Sequence, residues 1–345
     1  MRTSNAFIKT TAAAIVALAF SVGGAGAKDP QTLAWVDGGG AYGEAVKKEI
    51  LTPWQAMTGD KIAQVSGTDN AKLRAMVEAK RVVWDVYNGD NTWGTDLDGK
   101  WLTPLDYSVI PKDQILPGFA STYRVANMIY SIQLAYNTDK VKTAPSGWVD
   151  FFDLKKFPGK RGVMDYSAGG IFEIALLADG VAPDHLYPLD LDRAIRKLDT
   201  IKSSLVFWES GAQSEDLVGS GEVAMVMTYN ARAYDVKMVQ KKPVDYVFPG
   251  QILAAAYLTV PKGSEHVDEA MKLISYAVSK DVNGKLSAAL PLAPSNKDAT
   301  PDAAMKEVLP TSHLNEPHAT FDDQWIAQNS AELEKRYQAW KSATP

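Results

Sequence analysis

The chain has 345 residues, 36 basic against 41 acidic for a formal net charge of −5, no cysteine, and 46% hydrophobic residues. That balance argues against nucleic acid or an anionic membrane surface as partner, since both need basic patches. The missing thiols exclude disulfides and thiolate chemistry, and the length suits two lobes, because a single core rarely grows beyond about 250–300 residues.

The first element is a leader. MRTSNAFIKTTAAAIVALAFSVGGAGA carries Arg2 and Lys9, an apolar stretch from Ala12 to Val22, and then Ala25-Gly26-Ala27. These are the charged region, apolar region and small-residue cleavage site of a secretory signal peptide over residues 1–27. The apolar stretch is too short to span a bilayer, which takes about 20 residues. The mature chain is therefore expected to start at Lys28 and to be exported. With no twin-arginine pair it is expected to cross the membrane unfolded, and no cofactor is expected.

After the leader, strands and helices alternate. QTLAWV reads as a strand, EAVKKEILTPWQAMTG as a helix with a proline break, and DKIAQVSG as a second strand. NAKLRAMVEAK is a helix and WDVYNGD a third strand ending in a turn. This order predicts a doubly wound half-domain, whose ligands sit at the carboxyl ends of the strands. Asp37, Thr68 and Asp90 fall there. The hydrophobic segment from Tyr123 to Asp139 is extended, and a second unit of the same kind follows, with a strand at Gly162–Met164 and a helix from Gly170. VAMVMTYNARAYDVKMV supplies a further strand and helix, DYVFPGQILAAAYLTVP a second long extended segment, and DDQWIAQNSAELEKRYQAWKS an amphipathic C-terminal helix. The fold class predicted is α/β, with two lobes joined by two long crossings.

The segment VDGGGAYGEAVKKEI matches G-x-G-x-x-G at Gly38, Gly40 and Gly43. A dinucleotide site is disfavoured by Asp37 directly before the glycines and by Ser66-Gly67-Thr68, not an acid, after the second strand. A turn in which Gly39 lets the backbone approach a ligand is the better reading, and a flexible strand-to-helix turn the plainer one. Arg232 follows directly where an apolar strand opens at Tyr229-Asn230. Its fork suits a carboxylate, while an ion pair with a neighbour such as Asp235 is the alternative. Asp37, Asp90 and Asp165 are candidate ammonium partners, each also readable as a turn or cap aspartate. Trp35, Trp93, Trp208 and Tyr229 stand at strand ends, where aromatic walls can hold an alkyl chain or an ammonium group. His313, Glu316 and His318 cluster in SHLNEPHAT without the H-E-x-x-H spacing of a zinc site, and no metal is expected. No G-x-S-x-G elbow or P-loop is present, and nothing assembles nucleophile, base and oxyanion donors.

The order of segments resembles the periplasmic solute-binding proteins of ABC importers, in the branch that includes the spermidine/putrescine-binding proteins. The resemblance is carried by WDVYNGD, YSIQLAYNTDKV, WVDFFDLKKFPGKRG, GSGEVAMVMTYNARAY and AYLTVPKGSEHVDEAMKLISYAVS, in that order. It implies a type II-like clamshell with one lobe of residues 28–132 and 256–300 and another of 133–255 and 301–345. Hinges near Ser131–Asn137 and Ala254–Thr259 would close the lobes on a ligand. It also implies a monomer in the periplasm that delivers a small solute to an ABC permease and catalyses no reaction. In the family the turn after GEVAMVM faces the cleft, and polyamine binders carry an aromatic near Tyr229. This sequence departs from them where DYSAGGIF and QILAAAYL lack the expected acids and tryptophan. The ligand expected is therefore an amino-carboxylate such as an ω-amino acid or an opine-like compound. Arg232 and the glycine turn would take its carboxylate, and an aspartate with aromatics its amine. A polyamine binder and a secreted hydrolase remain the alternatives.

Overall fold

A computed structural model describes residues 31–343; the signal peptide expected over residues 1–27 lies outside the described residues. The strands are β1 (Thr32–Asp37), β2 (Lys61–Ser66), β3 (Val86–Gly89), β4 (Leu102–Thr103), β5 (Val125–Asn137), β6 (Arg161–Met164), β7 (Leu205–Trp208), β8 (Met225–Tyr229), β9 (Val244–Pro261), β10 (Ala293–Pro294) and β11 (His318–Thr320). They form one sheet path in the order β2-β1-β3-β9-β5-β8-β6-β7, with β10 beside β5 and β4 and β11 beside β9. Parallel strands build each end: β1 with β2 and β3 in the first lobe, β6 with β7 and β8 in the second. Between them β5 and β9 run antiparallel through both lobes.

The crossing strands change allegiance within a few residues. On β5, Ile129 belongs to the first core, with Leu33 and Val86, whereas Ile132 belongs to the second, with Val163 and Phe172. On β9, Ile252 and Ala254 enter the second core while Leu253 and Ala255 enter the first. Because side chains alternate across a strand, one segment can serve both cores at once. The ladder then breaks between Ile132, opposite Ile252, and Leu134, opposite Val247. The excess β9 residues include Pro249, which lacks a donor for the ladder, and Gly250 at φ +85°. The indole of Trp148 fastens this excursion by donating to the Gly250 carbonyl at 2.7 Å.

The long C-terminal helix, Asp323–Ser342, is capped by Asp322, which accepts from the Trp325 N–H at 2.9 Å. Leu333, Tyr337 and Trp340 sink into the second core. Its first residue, Asp323, is instead buried against Arg124 at the start of β5. The helix thus spans from one lobe to the other. The basic phrase FPGKRG has a structural use: buried Arg161 donates to the carbonyls of Phe151, Gly159 and Phe157 at 2.6, 2.8 and 2.5 Å.

Candidate ligand cleft

Ligands of open α/β sheets sit at the carboxyl ends of the parallel strands, where the turns after β1, β3 and β8 stand. One cavity of about 580 Å³ lies between Gly38–Tyr42 of the first lobe and Ala231, Arg232, Tyr234 and Asp235 of the second. Val239, Met305 and residues 289–292 complete its wall. The glycine turn is shaped by conformation: Gly39 and Gly40 have φ of +70° and +59°, a region that penalises other residues. Gly43 is required for a different reason, since a Cβ there would stand 2.9 Å from Oδ1 of Asp37.

Arg232 sits in the short helix Asn230–Tyr234, directly after β8, with half its side chain exposed. Its ion partner is Glu215, at 2.8 Å, and not Asp235. Glu215 is 8% exposed and takes a second hydrogen bond from Gln240 at 2.8 Å. The guanidinium is thereby held at one edge while its remaining N–H groups can meet a carboxylate.

A second group of side chains gathers at Asp90, which is exposed and holds its own turn through Thr92, whose N–H and hydroxyl donate to Oδ1 at 3.0 and 2.7 Å. Three tyrosines of the second lobe and of β5 answer it. Burial raises the hydroxyls of Tyr130, Tyr166 and Tyr229, Tyr229 to about 12, and the Asp90 carboxylate adds to each shift. Tyr166 is 45% exposed. The rings of Tyr130 and Tyr229 meet edge-on at 5.7 Å. On Tyr229 the Arg232 charge acts in the opposite sense to Asp90.

Several residues singled out from the sequence lie elsewhere. Trp35 is fully buried in the first core, donating to Asp37 Oδ2 at 3.0 Å. Asp37 is fully buried as well, and also accepts from Gln64 at 2.8 Å and from the Gly39 N–H at 2.8 Å, so its oxygens serve the turn and not an ammonium group. Trp93 is 1% exposed with its indole on Thr259 at 3.3 Å. Asp165 is taken by the C-terminal helix, through Tyr337 at 2.7 Å and Lys341 at 2.5 Å. Trp208 backs the cleft from inside the core, edge-on to Tyr229 at 6.0 Å, its indole on the Met227 carbonyl.

His313 bonds Glu316 at 3.0 Å and the Glu307 carbonyl at 2.8 Å, and stacks on Phe248 at 3.4 Å. Among the described residues no group of three or more His, Asp or Glu side chains could hold a metal ion.

Sequence reasoning passed over Tyr42, Tyr130 and Tyr166. Tyr166 follows Asp165 directly and could have been found as an aromatic in a strand-end loop. Tyr130 gives no such signal, being one residue within an apolar strand.

Comparison with known proteins places this geometry in context. Residues 49–311 match the family profile described as bacterial extracellular solute-binding protein. The gamma-aminobutyric acid-binding protein of Pseudomonas aeruginosa is 33% identical over 328 residues, covering 90% of this chain and 91% of that one. The solved Atu4243-GABA receptor superposes with a TM-score of 0.84 at 37% identity, over 91% of this chain and 98% of that one. The binding protein AgtB of A. tumefaciens R10, solved with agropinic acid, gives 0.76 at 29% identity, over 91% and 99%.

Proposed function

The chain belongs to the bacterial extracellular solute-binding protein family, and from that premise we propose that it captures a small ω-amino acid, of the 4-aminobutyrate kind, between its lobes. The observation that carries this reading is that Asp90 directly follows β3 in the first lobe and Arg232 sits in the helix directly after β8 in the second, with Tyr229 ending β8 within the electrostatic influence of both. A zwitterion with separated termini matches that field: its carboxylate pairs with Arg232 beside the glycine turn, and its ammonium group with Asp90. Tyr130, Tyr166 and Tyr229 wall the ammonium end, where ring faces and hydroxyls favour a cation. The chain's resemblance to a gamma-aminobutyric acid-binding protein and to a GABA receptor supports the same ligand class.

Closure of the lobes about β5 and β9 would bury the ligand, and the closed form would pass it to an ABC permease in the inner membrane. The protein would work as a periplasmic monomer, binding without turnover. A larger amino-carboxylate of the opine kind is the second reading, favoured by a cavity of about 580 Å³, which exceeds what a four-carbon amino acid fills. A polyamine fits less well, because Arg232 opposes its second ammonium group.

Thermal melting of ligand-stripped protein against ω-amino acids, opines, polyamines and sugar phosphates tests the reading. A ligand that binds only the folded state raises the melting temperature by mass action. The expected result is a rise with 4-aminobutyrate. A rise with spermidine or putrescine alone would overturn the proposal.

A further inference from the structure

We propose that Arg124 and Asp323 are positioning residues that hold the Asp90 turn in its ligand-binding shape and tie it to the second lobe. This rests on the assignment of Asp90 to the ammonium end. Arg124, 7% exposed, stands at the entrance to β5 and points its guanidinium into the back of the turn. Its Nη1 donates to the carbonyls of Asn91 and Trp93 at 2.7 and 3.0 Å, and its Nη2 to Oδ2 of Asp323 at 2.8 Å. The other oxygen of Asp323 accepts from the Asn91 side chain at 3.0 Å. The residue immediately after Asp90 is therefore gripped by both its backbone and its side chain.

The surroundings fit the grip closely. The guanidinium lies 3.8 Å from the centre of the Tyr257 ring. Gly94, at φ +79°, admits the arginine stem, since a Cβ there would stand 2.9 Å from the Cβ of Arg124. The next residue of the helix, Gln324, accepts from the backbone N–H of Asp96 at 3.0 Å, fastening the far end of the loop. The same helix is rooted in the second core by Leu333, Tyr337 and Trp340. Movement of the second lobe is thus transmitted to the loop that carries Asp90.

A buried ion pair is a weak source of stability compared with apolar side chains of the same volume. What arginine supplies here is a planar fork that fixes two carbonyls and a carboxylate in one geometry. An apolar pair would fill the space without setting the shape of the turn.

The double variant Arg124→Met/Asp323→Leu removes both charges and leaves neither charge unpaired, but it loses the hydrogen bonds to the Asn91 amide and to the Asn91 and Trp93 carbonyls. Calorimetric titration with 4-aminobutyrate and with butyrate, which lacks the amine, gives a preference ratio. The ratio is expected to fall about tenfold, the low end of what outer-shell partners contribute at metal sites, with a lower melting temperature from the buried groups left unpaired. A folded double variant with an unchanged ratio would overturn the inference. Asp323→Asn, which keeps an acceptor for Asn91 but loses the charge, provides the same reading if the double variant does not fold: a lowered ratio supports the inference and an unchanged one overturns it. Asp90→Asn separates the two levels of argument. If it leaves the ratio unchanged, the Asp90 assignment itself is wrong; if it lowers the ratio while the Arg124 and Asp323 variants do not, only the positioning role falls.

Discussion

The guanidinium of Arg232 lies 2.8 Å from Oε1 of Glu215, and its stem crosses Gly211 so closely that a Cβ there would stand 2.6 Å from Nε. The side chain is held between a buried carboxylate on one side and a missing side chain on the other. Arg232→Ala is expected to weaken 4-aminobutyrate binding by about 100-fold, in line with hydrogen bonds to charged groups worth about 1.5–3 kcal/mol. Glu215→Gln, which keeps an acceptor for Nη1, should cost only a few-fold. Isothermal titration of the two variants decides it, and equal losses would deny the guanidinium a direct contact.

The tyrosine wall makes a separate prediction. Tyr229→Phe retains the ring proposed to face the ammonium group, whereas Tyr229→Ala removes it. Cation–π contacts contribute about 0.5–2 kcal/mol, so the alanine variant is expected to bind about tenfold more weakly and the phenylalanine variant nearly as well as the parent. A phenylalanine variant as weak as the alanine one would assign the effect to the hydroxyl instead.

Trp35 should matter for stability alone. Trp35→Phe leaves a void and strips one donor from Asp37, which is expected to cost about 1–3 kcal/mol of unfolding free energy. Denaturant melts would show this loss, with the dissociation constant for 4-aminobutyrate unchanged. A change in affinity at full folding would put Trp35, through Asp37 and the glycine turn, into the binding machinery.

Stability should also depend on pH through Glu173. This carboxyl is 1% exposed; burial raises it to about 7, against a hydrogen bond from Tyr187 at 2.8 Å that acts the other way, and Oε2 has no partner. The folded chain therefore holds the proton more tightly than the unfolded chain. The stabilisation is complete below the ordinary value of 4.5 and is lost as pH rises through about 7. Glu173→Gln should flatten the decline in melting temperature across roughly pH 5 to 8. An unchanged slope in the variant would assign the decline to other groups.

Much of the fold could be read in the sequence because it rests on local rules. Alternating strand and helix patterns locate the parallel strands, and strand order places Asp90, Gly39, Tyr229 and Arg232 at carboxyl ends. What local rules cannot supply is the partner of each polar side chain. Asp90 and Asp165 look alike in sequence, each closing a strand, yet Asp165 is claimed by Tyr337 and Lys341 from the far end of the chain. Trp35 and Trp93 are likewise drawn inward by Asp37 and Thr259, the second of these across the sheet. The bridge from Asp323 to Arg124 spans 199 residues and leaves no periodic trace.

The most direct test of the central claim is isothermal titration of ligand-stripped Lys28–Pro345 with 4-aminobutyrate, butyrate and putrescine. Recognition of both termini predicts measurable binding of 4-aminobutyrate, with butyrate and putrescine each at least about tenfold weaker, since each lacks one charge-assisted contact. Putrescine binding as tightly as 4-aminobutyrate, or more tightly, would contradict the pairing of a carboxylate with Arg232.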